Sequence, residues 1–564
     1  MTIEPLGDAA LLVTFEGDSK VDVLSRVSTW TRAFVEAQVP GVVDVVPAYA
    51  SVAVFYDPLR FVGLKAEDSP FNILKHLVAA LVVESSNQDA LGANNSARCV
   101  EIPVSYGAEA GIDIALVAAH TGLTEVEVVA RHSEAEYRVQ AIGFAPGFPY
   151  LSGLPTQLAT PRRVTPRTKV PAGSVGIGGA QTGVYPIETP GGWQIIGSTD
   201  LKLFDVTRAE PAYLRVGDRV RFRAVESQPR SLDLPTTKQT GAVAKRSVQE
   251  INDNLATRTF RVVQAGMWTT VQDLGRVGQR AAGVPVSGAL DRFAARVANL
   301  LVGNAENAGV LELTLLGPEI EFLTDGWIAL TGALFAGCEA WRPLAVRAGQ
   351  RIKFGAATKG CRGYLAVSGG IEVAPVLGSR STYGRAGFGG WQGRTLRVGD
   401  VLPLGAAVRE VAQRWSIDSR IIPDYLSNPI VRVVLGAQTD EFGATWLKTD
   451  FRVSPQSDRM GMRLAGTALV RTVGDDLLSS AVVPGTVQVP PDGQPIVLLA
   501  DAQTIGGYPQ LAHVIDVDLP LLAQLRPGDT VRFRLVSIQE AQERWLAREQ
   551  ALAMLREGLA QKIR

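Results

Sequence analysis

Two rhythms of apolar residues alternate along the first hundred positions. Ala9–Phe15 is a largely apolar run, and Asp22–Glu36 sets Val23, Leu24, Val27, Trp30 and Phe34 at helical spacing. Val42–Val46 and Val52–Tyr56 are short β-branched runs, Asn72–Val83 is helical again, and Cys99–Val104 ends the series as a strand. Periods near 2 and 3.6 separate strand from helix. The order βαββαβ predicts a ferredoxin-like α+β domain over residues 1–98, with Ser85–Arg98, rich in Asn, Ser, Gly and Ala, as a loose connection.

A helical hairpin follows, with Asp113 and Thr124 as N-caps and Gly122 as the break. From Tyr137 to Val225 the apolar runs shorten and are punctuated by Gly and Pro, so residues 99–225 are predicted to form a compact β-barrel. Glu226–Arg258 is polar, carries Pro229, Pro235 and Gly241, and lacks periodicity; 226–259 reads as a linker. The second half restarts with the strand Phe260–Gln264 and has one strong helix after Ser287, with Leu290, Phe293, Val297, Leu300 and Leu301 on one face. Its remaining β pattern predicts two further barrels, 260–410 and 411–540. A charged helix over 541–564, with the stripe Trp545, Leu552, Leu555 and Leu559, is expected to pack on the protein's own surface. The fold class is mainly β with one α+β domain and three barrels.

Three landmarks recur in order. VPAGSV (Val170–Val175), AQTGVYP (Ala180–Pro186) and LRVGDRVRF (Leu214–Phe222) are followed later by VPGTV (Val483–Val487), AQTIGGYP (Ala502–Pro509) and LRPGDTVRF (Leu525–Phe533). RAGQRIKFG (Arg347–Gly355) and TLRVGDVLPLG (Thr395–Gly405) echo the last of them. Related β-rich modules account for the repetition, and the AQT segment is either a shared structural turn or a shared polar site.

The 564 residues need three or four cores. Fifty-six Lys and Arg balance fifty-six Asp and Glu, which removes an electrostatic case for nucleic acid or an anionic membrane. No apolar stretch approaches the roughly 20 residues of a membrane helix, and the N-terminus lacks a secretory pattern, so a cytoplasmic protein is expected. Cys99, Cys338 and Cys361 are odd in number and not paired as CxxC; they read as inert core thiols.

Several chemistries lack their motif. There is no Walker A loop, no GxSxG elbow and no HExxH, and His76, His120, His132 and His513 are scattered. His120 and His132 sit where helices end and are read as caps; His513, close behind the second AQT, is a candidate for chemistry. Four polar clusters in Gly/Pro-rich segments remain. PRRVTPRTKVPAG supplies Arg162, Arg163, Arg167 and Lys169, which form either an anion-binding loop or a solvated hairpin face. TTVQDLGRVGQR supplies Gln272, Asp273 and Arg276; SDRMGMR supplies Asp458, Arg459 and Arg463; DAQTIGGYP supplies Asp501, Gln503, Thr504 and Tyr508.

On these residues the chain resembles a known pair of families. GFAPGFPYLSGLP (Gly143–Pro155), PRRVTPRTKVPAGSVGIGGAQTGVYP (Pro161–Pro186) and TPGGWQIIG (Thr189–Gly197) resemble the bacterial 5-oxoprolinase B subunit, the allophanate hydrolase subunit 1-like family. TTVQDLGRVGQRAAGVPVSGALDR (Thr269–Arg292), SDRMGMRLAG (Ser457–Gly466) and GTVQVPPDGQPIVLLADAQTIGGYPQ (Gly485–Gln510) resemble the C subunit, the allophanate hydrolase subunit 2-like family. The resemblance spans about residues 1–225 and 260–540. It implies cyclophilin-like barrels and an ATP-dependent opening of 5-oxo-L-proline to L-glutamate, completed by a separate 5-oxoprolinase A subunit.

An unstrained lactam is a resonance-stabilised amide, so activation by a phosphoryl group explains the use of ATP, with Mg²⁺ as its usual companion. Residue chemistry then offers roles. Arg162, Arg167, Arg276, Arg459 and Arg463 can bind anions. Asp273, Asp458 and Asp501 can hold a metal or accept a proton, and His513 is a further catalytic candidate. Gln181, Thr182, Tyr185, Gln272, Gln503, Thr504 and Tyr508 can orient the amide. Ile505 stands where the C-type motif commonly has a second Thr.

The same modules resemble the carboxyltransferase portion of urea carboxylase, although neither a biotinyl-lysine motif nor an ATP-grasp region is present. A third reading is a kinase-regulating binding protein, because B-type relatives include an inhibitor of a sporulation sensor kinase. Self-association is left open.

Overall fold

The computed structural model describes residues 1–17, 20–63, 69–88, 98–226, 258–407, 416–474 and 477–561. The predicted linker lies almost wholly outside them, as do residues 89–97 of the loose connection and the 410/411 boundary. Two compact units are formed: Met1–Val225 with Gly275–Leu290 and Asp424–Ala551, and Glu226–Leu274 with Asp291–Pro423 and Leu552–Arg564. Among the described residues no helix is long and apolar enough to cross a membrane.

The first unit opens with a four-stranded antiparallel sheet ordered Thr2–Pro5, Ala10–Thr14, Ser51–Tyr56, Val42–Pro47. Helices Lys20–Glu36 and Pro70–Gln88 cover one face, where Leu11, Val13, Val52 and Val54 meet Val27, Trp30, Phe34, Leu74 and Val78. Ala10, Leu12, Ala53 and Phe55 point the other way into a second cluster. Burial on both faces explains why Val52–Tyr56 is uninterrupted rather than alternating.

Cys99–Tyr106 does not complete this sheet, contrary to the βαββαβ expectation. Its Val100, Ile102 and Val104 face inward while Cys99 and Glu101 face out, the pattern of a barrel wall, and it pairs parallel to Arg219–Ala224. Cys99 is therefore exposed; Cys338 is half-buried and only Cys361 is in a core.

Two closed seven-stranded barrels follow the same circuit. The first runs Arg219–Ala224, Cys99–Tyr106, Gln194–Ser198, Ser174–Gly178, Gln181–Val184, Phe148–Ser152, Glu136–Gly143. The second runs Thr530–Leu535, Ile430–Leu435, Gln510–Val514, Thr486–Gln488, Ile496–Leu498, Gly461–Ala465, Phe451–Val453. In each, the first and last strands in sequence are the parallel neighbours.

The LRxGD element is one turn built four times. The amides of Arg215, Arg526, Arg397 and Arg347 donate to the side chains of Asp218, Asp529, Asp400 and Gln350 at 2.7 to 2.9 Å. Gly217, Gly528, Gly399 and Gly349 between them have φ of +80° to +95°. A Cβ on the last three would meet nothing within 4 Å, so backbone conformation, not space, demands glycine there.

The two AQT segments, in contrast, are not equivalent. Ser174 pairs with Ser198 and Gly176 with Ile195; Thr486 pairs with His513 and Gln488 with Gln510. This register lays residues 189–198 on 504–513, matching TPGGW to TIGGY. Ala180–Thr182 opens a strand whose counterpart is Ile496–Leu498, whereas Ala502–Thr504 follows that counterpart. The shared letters are a coincidence of composition in neighbouring segments.

The second unit has a four-stranded sheet (Arg351–Lys353, Glu319–Phe322, Thr259–Gln264, Val401–Pro403) and a five-stranded one (Trp268–Gln272, Val310–Thr314, Ala357–Val367, Gly326–Phe335, Pro343–Val346). Phe260, Phe322, Leu313, Leu330 and Phe335 fill one core between them, so two sheets face each other where a closed third ring was expected. Helix Arg292–Leu301 starts at Asp291, whose carboxylate accepts the Ala294 amide at 2.8 Å. Ser287, four residues earlier, has φ +55° and belongs to a different feature.

Candidate functional site

Within the first unit, Gly275–Leu290 forms a strap. The Arg276 amide closes its neck on the Val286 carbonyl at 2.7 Å, and the fully buried Arg276 side chain anchors it. Its middle touches the α+β domain through Arg280 and Asp44, and Ala282 accepts the Gly147 amide of the first barrel at 2.8 Å. Its end reaches the second barrel, where the Ser287 amide donates to Ala500 at 2.8 Å and Arg459 Nη2 donates to Gly288 at 2.5 Å. Arg459 also pairs with Asp501 at 3.0 Å. Two non-glycine residues in the left-handed region flank this junction, Phe144 (φ +52°) and Ser287 (φ +55°). Such strain persists only where surrounding contacts enforce it, and it gathers at working sites.

Next to the junction, Ile505 and Gly506 pair with Ala481 and Ser480. Ile505 turns into the first barrel, where a Cβ on Gly143 would come within 2.5 Å of its own. It is 1% exposed and packs with Phe148, Tyr185 and Trp193. That apolar contact accounts for an isoleucine at position 505. Strand alternation sends Thr504 and Gly506 to the opposite side, where a Cβ on Gly506 would stand 2.6 Å from Gln488 Nε2.

Thr504, Gln488, Gln510 and Ser480 form a polar cluster at this strand pair, the candidate chamber. Gln510 Nε2 is fixed by Ser480 Oγ at 2.9 Å and the Ala481 carbonyl at 3.1 Å, and its backbone amide by Gln438 at 3.0 Å. Gln510 Oε1 and Thr504 Oγ1 are buried without a partner among the described residues, as are Ser287 Oγ and Gln503 Oε1. Leaving such groups unsatisfied costs about 1–3 kcal/mol each, so together they mark a place prepared for a ligand or water.

A second concentration lies at the mouth of the first barrel. Arg167 and Arg163 approach Asp113 at 2.7 and 3.5 Å, and Lys169 approaches Glu188 at 3.1 Å. Gln181 Nε2 donates to the Tyr49 hydroxyl at 2.6 Å. Tyr185, Phe148, Tyr150 and Trp193 form an edge-to-face aromatic cluster beneath. Burial raises the Tyr185 hydroxyl to about 12, although the Trp193 amide, Arg162 and Arg167 oppose it.

Other predicted residues are committed elsewhere. Thr182 is inside the barrel, bonded to His132 Nε2 at 2.9 Å and to the Gly176 carbonyl. His132 is no helix cap: it stacks on Phe222 at 4.6 Å and meets the Tyr106 hydroxyl at 2.7 Å. His513 is 1% exposed, with Nδ1 on Thr486 Oγ1 at 3.1 Å, which leaves no open face for chemistry. In the second unit Asp273 accepts from Ser379, Ser381 and the Arg380 amide, and Gln272 donates to Thr270 and Thr382; both are buried loop supports. Asp458 accepts the Met460 and Gly461 amides as a turn residue. Arg463 and Tyr508 are exposed.

These partners bear on a metal. Asp501 is occupied by Arg459, Asp458 by its turn and Asp273 by two hydroxyls, so Mg²⁺ held by these three carboxylates does not fit. Among the described residues no three His, Cys, Asp or Glu side chains gather to hold a metal ion. The second unit has a cleft of about 510 Å³, lined by Leu274, Leu300, Asn304, Glu306, Arg556 and Leu559, and none of the predicted site residues borders it.

Sequence reasoning passed over Gln488, Gln510, Ser287, Tyr49 and Asp113. The first two were legible as polar residues at inward strand positions. Asp113 looked like an N-cap but makes no cap bond; its carboxylate accepts the Ile195 amide at 2.7 Å.

The profile of the carboxyltransferase domain, subdomains C and D, matches residues 1–214, and that of subdomains A and B matches residues 282–535. The chain is 46% identical over 297 residues to the 5-oxoprolinase C subunit of Escherichia coli (strain K12), covering 50% of this chain and 93% of that one. It is 46% identical over 217 residues to the 5-oxoprolinase B subunit of Escherichia coli O157:H7, covering 38% and 93%. The crystal structure of TTHA0988 superimposes with a TM-score of 0.76 at 34% identity, over 93% of this chain and 99% of that one. With both types matched almost end to end, the chain belongs to the 5-oxoprolinase family of B and C subunits, carboxyltransferase-domain proteins here joined in one polypeptide.

Proposed function

We propose that this chain is the B–C component of an ATP-dependent 5-oxoprolinase in the cytoplasm, preparing 5-oxo-L-proline for ring opening to L-glutamate with a separate A subunit. The observation that carries the reading is the chamber of Thr504, Gln488 and Gln510, with two buried oxygens that lack partners among the described residues. A five-membered lactam holds N–H and C=O on one edge. That edge can donate to Gln510 Oε1 while its carbonyl oxygen accepts from the Thr504 hydroxyl.

No ionised side chain is among the chamber's walls, which suits a neutral amide. ATP supplies the activating phosphoryl group. Thr504 and Gln510 hold the ring so that its oxygen is the atom presented, and a hydroxyl donor strengthens as that oxygen gains charge.

The test is turnover of purified chain with its A subunit, measured as ADP and glutamate from 5-oxoproline. Product should require both chains, and Thr504→Val should lower kcat/KM roughly tenfold or more, on the order of 1.4 kcal/mol. Turnover indifferent to Thr504→Val removes the chamber from the mechanism. The matched profiles describe carboxyltransferase domains, which favours a second reading: carboxyl transfer to urea or a related amide with a biotin protein. Biotin-dependent carboxylation, without glutamate formation, would select it.

A further inference from the structure

The basic loop of the first barrel is not electrically closed. Lys169 is paired with Glu188, but Arg163 and Arg167 share the single carboxylate of Asp113. Asp113 is 5% exposed and spends its other oxygen on the Ile195 amide, so its position is set by the backbone. Arg162, next to them, makes no ion pair among the described residues and is exposed. Two guanidinium groups thus share one acid, and a third beside them in sequence has none among the described residues. Arg163 Nε and Arg167 Nη1 are buried and lack hydrogen-bond partners among the described residues. Buried N–H donors on a cation are strong ligands for an oxyanion, and arginine presents them in a planar fork.

Hydroxyls complete the set. Gln181 holds the Tyr49 hydroxyl at 2.6 Å, the Tyr49 and Tyr150 rings meet edge-on at 6.1 Å, and Arg162 partly offsets the burial that raises both hydroxyls. The loop is held over the mouth because the Arg163 amide donates to Gly192 at 2.7 Å. Its floor is equally fixed: a Cβ on Gly191 would lie 2.4 Å from the Tyr185 hydroxyl, so only glycine lets that tyrosine reach its place.

We propose that Arg162, Arg163 and Arg167, with Tyr49 and Tyr150, form an oxyanion site on the first barrel, filled by the phosphoryl group of a nucleotide or the carboxylate of an organic acid. The site goes beyond the lactam chamber and does not depend on it.

Calorimetric titration of the full-length chain tests it with three probes: ATP, 5-oxo-L-proline, and 2-pyrrolidinone, which has the ring without the carboxylate. Arg162→Ala removes an exposed side chain, and Arg167→Lys keeps a charge beside Asp113 while losing the fork. Each should weaken one anion at least tenfold and leave 2-pyrrolidinone unchanged. Loss of ATP binding identifies the phosphoryl source; loss confined to 5-oxoproline identifies the carboxylate. The proposal is overturned if neither anion's affinity moves, or if 2-pyrrolidinone weakens by the same factor. Anion binding that follows these variants while 5-oxoproline is never turned over would sink the 5-oxoprolinase reading alone.

Discussion

The guanidinium of Arg280 lies 4.1 Å from the centroid of the Phe55 ring, and the Arg280 backbone amide donates to Asp44 at 2.9 Å. One residue of the strap therefore meets an aromatic face and a buried carboxylate of the α+β domain. Replacing it by Met removes a cation from beside Asp44, which is 8% exposed. The expected destabilisation is about 3 kcal/mol, because a buried charge loses its partner. Burial already holds the Asp44 carboxyl above its ordinary value, and Arg280 opposes that shift. Without Arg280 the carboxyl rises further, so the deficit of Arg280→Met should be smallest in acid, where Asp44 is protonated, and grow toward neutral pH. Urea unfolding across pH reads both; a pH-independent deficit would exclude the role of Asp44.

Asp8 predicts a second pH dependence. Its carboxylate accepts the Asp516 amide at 2.9 Å, while Gln542 bridges the Asp8 carbonyl and the Tyr56 hydroxyl. Burial first, then repulsion from Asp516, raises it from 3.8 to about 7, against Arg548 and the backbone bonds. A raised folded value means the folded protein holds a proton that the unfolded chain releases. Stability from this group is therefore full below the unfolded value and falls as pH rises to about 7. Asp8→Asn keeps an acceptor for the Asp516 amide and should flatten the fall in Tm between about pH 4 and about pH 7. An unchanged slope would place the titration elsewhere.

The architecture was legible where one residue type answers one backbone need. Four glycines at matched turns, each followed by a side-chain acceptor, made the repeat visible at Asp218, Asp529, Asp400 and Gln350. Strand membership was less legible, since Cys99–Tyr106 has the same local pattern in either sheet and only its long-range partner decides. The site divided similarly. Thr504 and Arg162 were singled out from composition and motif, yet the AQT repeat misled because its identical letters lie at opposite ends of one strand. Gln488 and Gln510 show in the sequence only as polar residues at inward strand positions; that Gln510 Oε1 lacks a partner among the described residues emerges only in the fold.

His132 and His513 bear on stability in acid. Burial pushes them down to about 3 and about 4. Both are neutral in the fold, whereas the unfolded chain takes up protons below about 6.5. Their contribution is present above that value and lost as pH falls through the folded ones, opposite in sign to Asp8. Proton NMR of the imidazole C–H signals should show no titration of either ring down to about pH 5. A midpoint near neutrality for His513 would restore it as a candidate acid or base.

Ile505 offers the sharpest separation of packing from chemistry. Its side chain presses on Gly143 and joins Phe148, Tyr185 and Trp193, so Ile505→Thr would put a hydroxyl in place of an ethyl group in apolar surroundings. The expected cost is about 1–3 kcal/mol, from the unpaired hydroxyl and the lost contact. Because Thr504 and Gly506 face the chamber and Ile505 faces away, the binding constant for 2-pyrrolidinone should hold at temperatures where the variant remains folded. Gly506→Ala predicts the reverse, since a Cβ 2.6 Å from Gln488 Nε2 displaces that carboxamide and weakens the lactam while leaving the aromatic contact intact. If Ile505→Thr instead tightens the lactam and raises turnover, the residue faces substrate, and the division of this strand between a packing side and a chemical side is wrong.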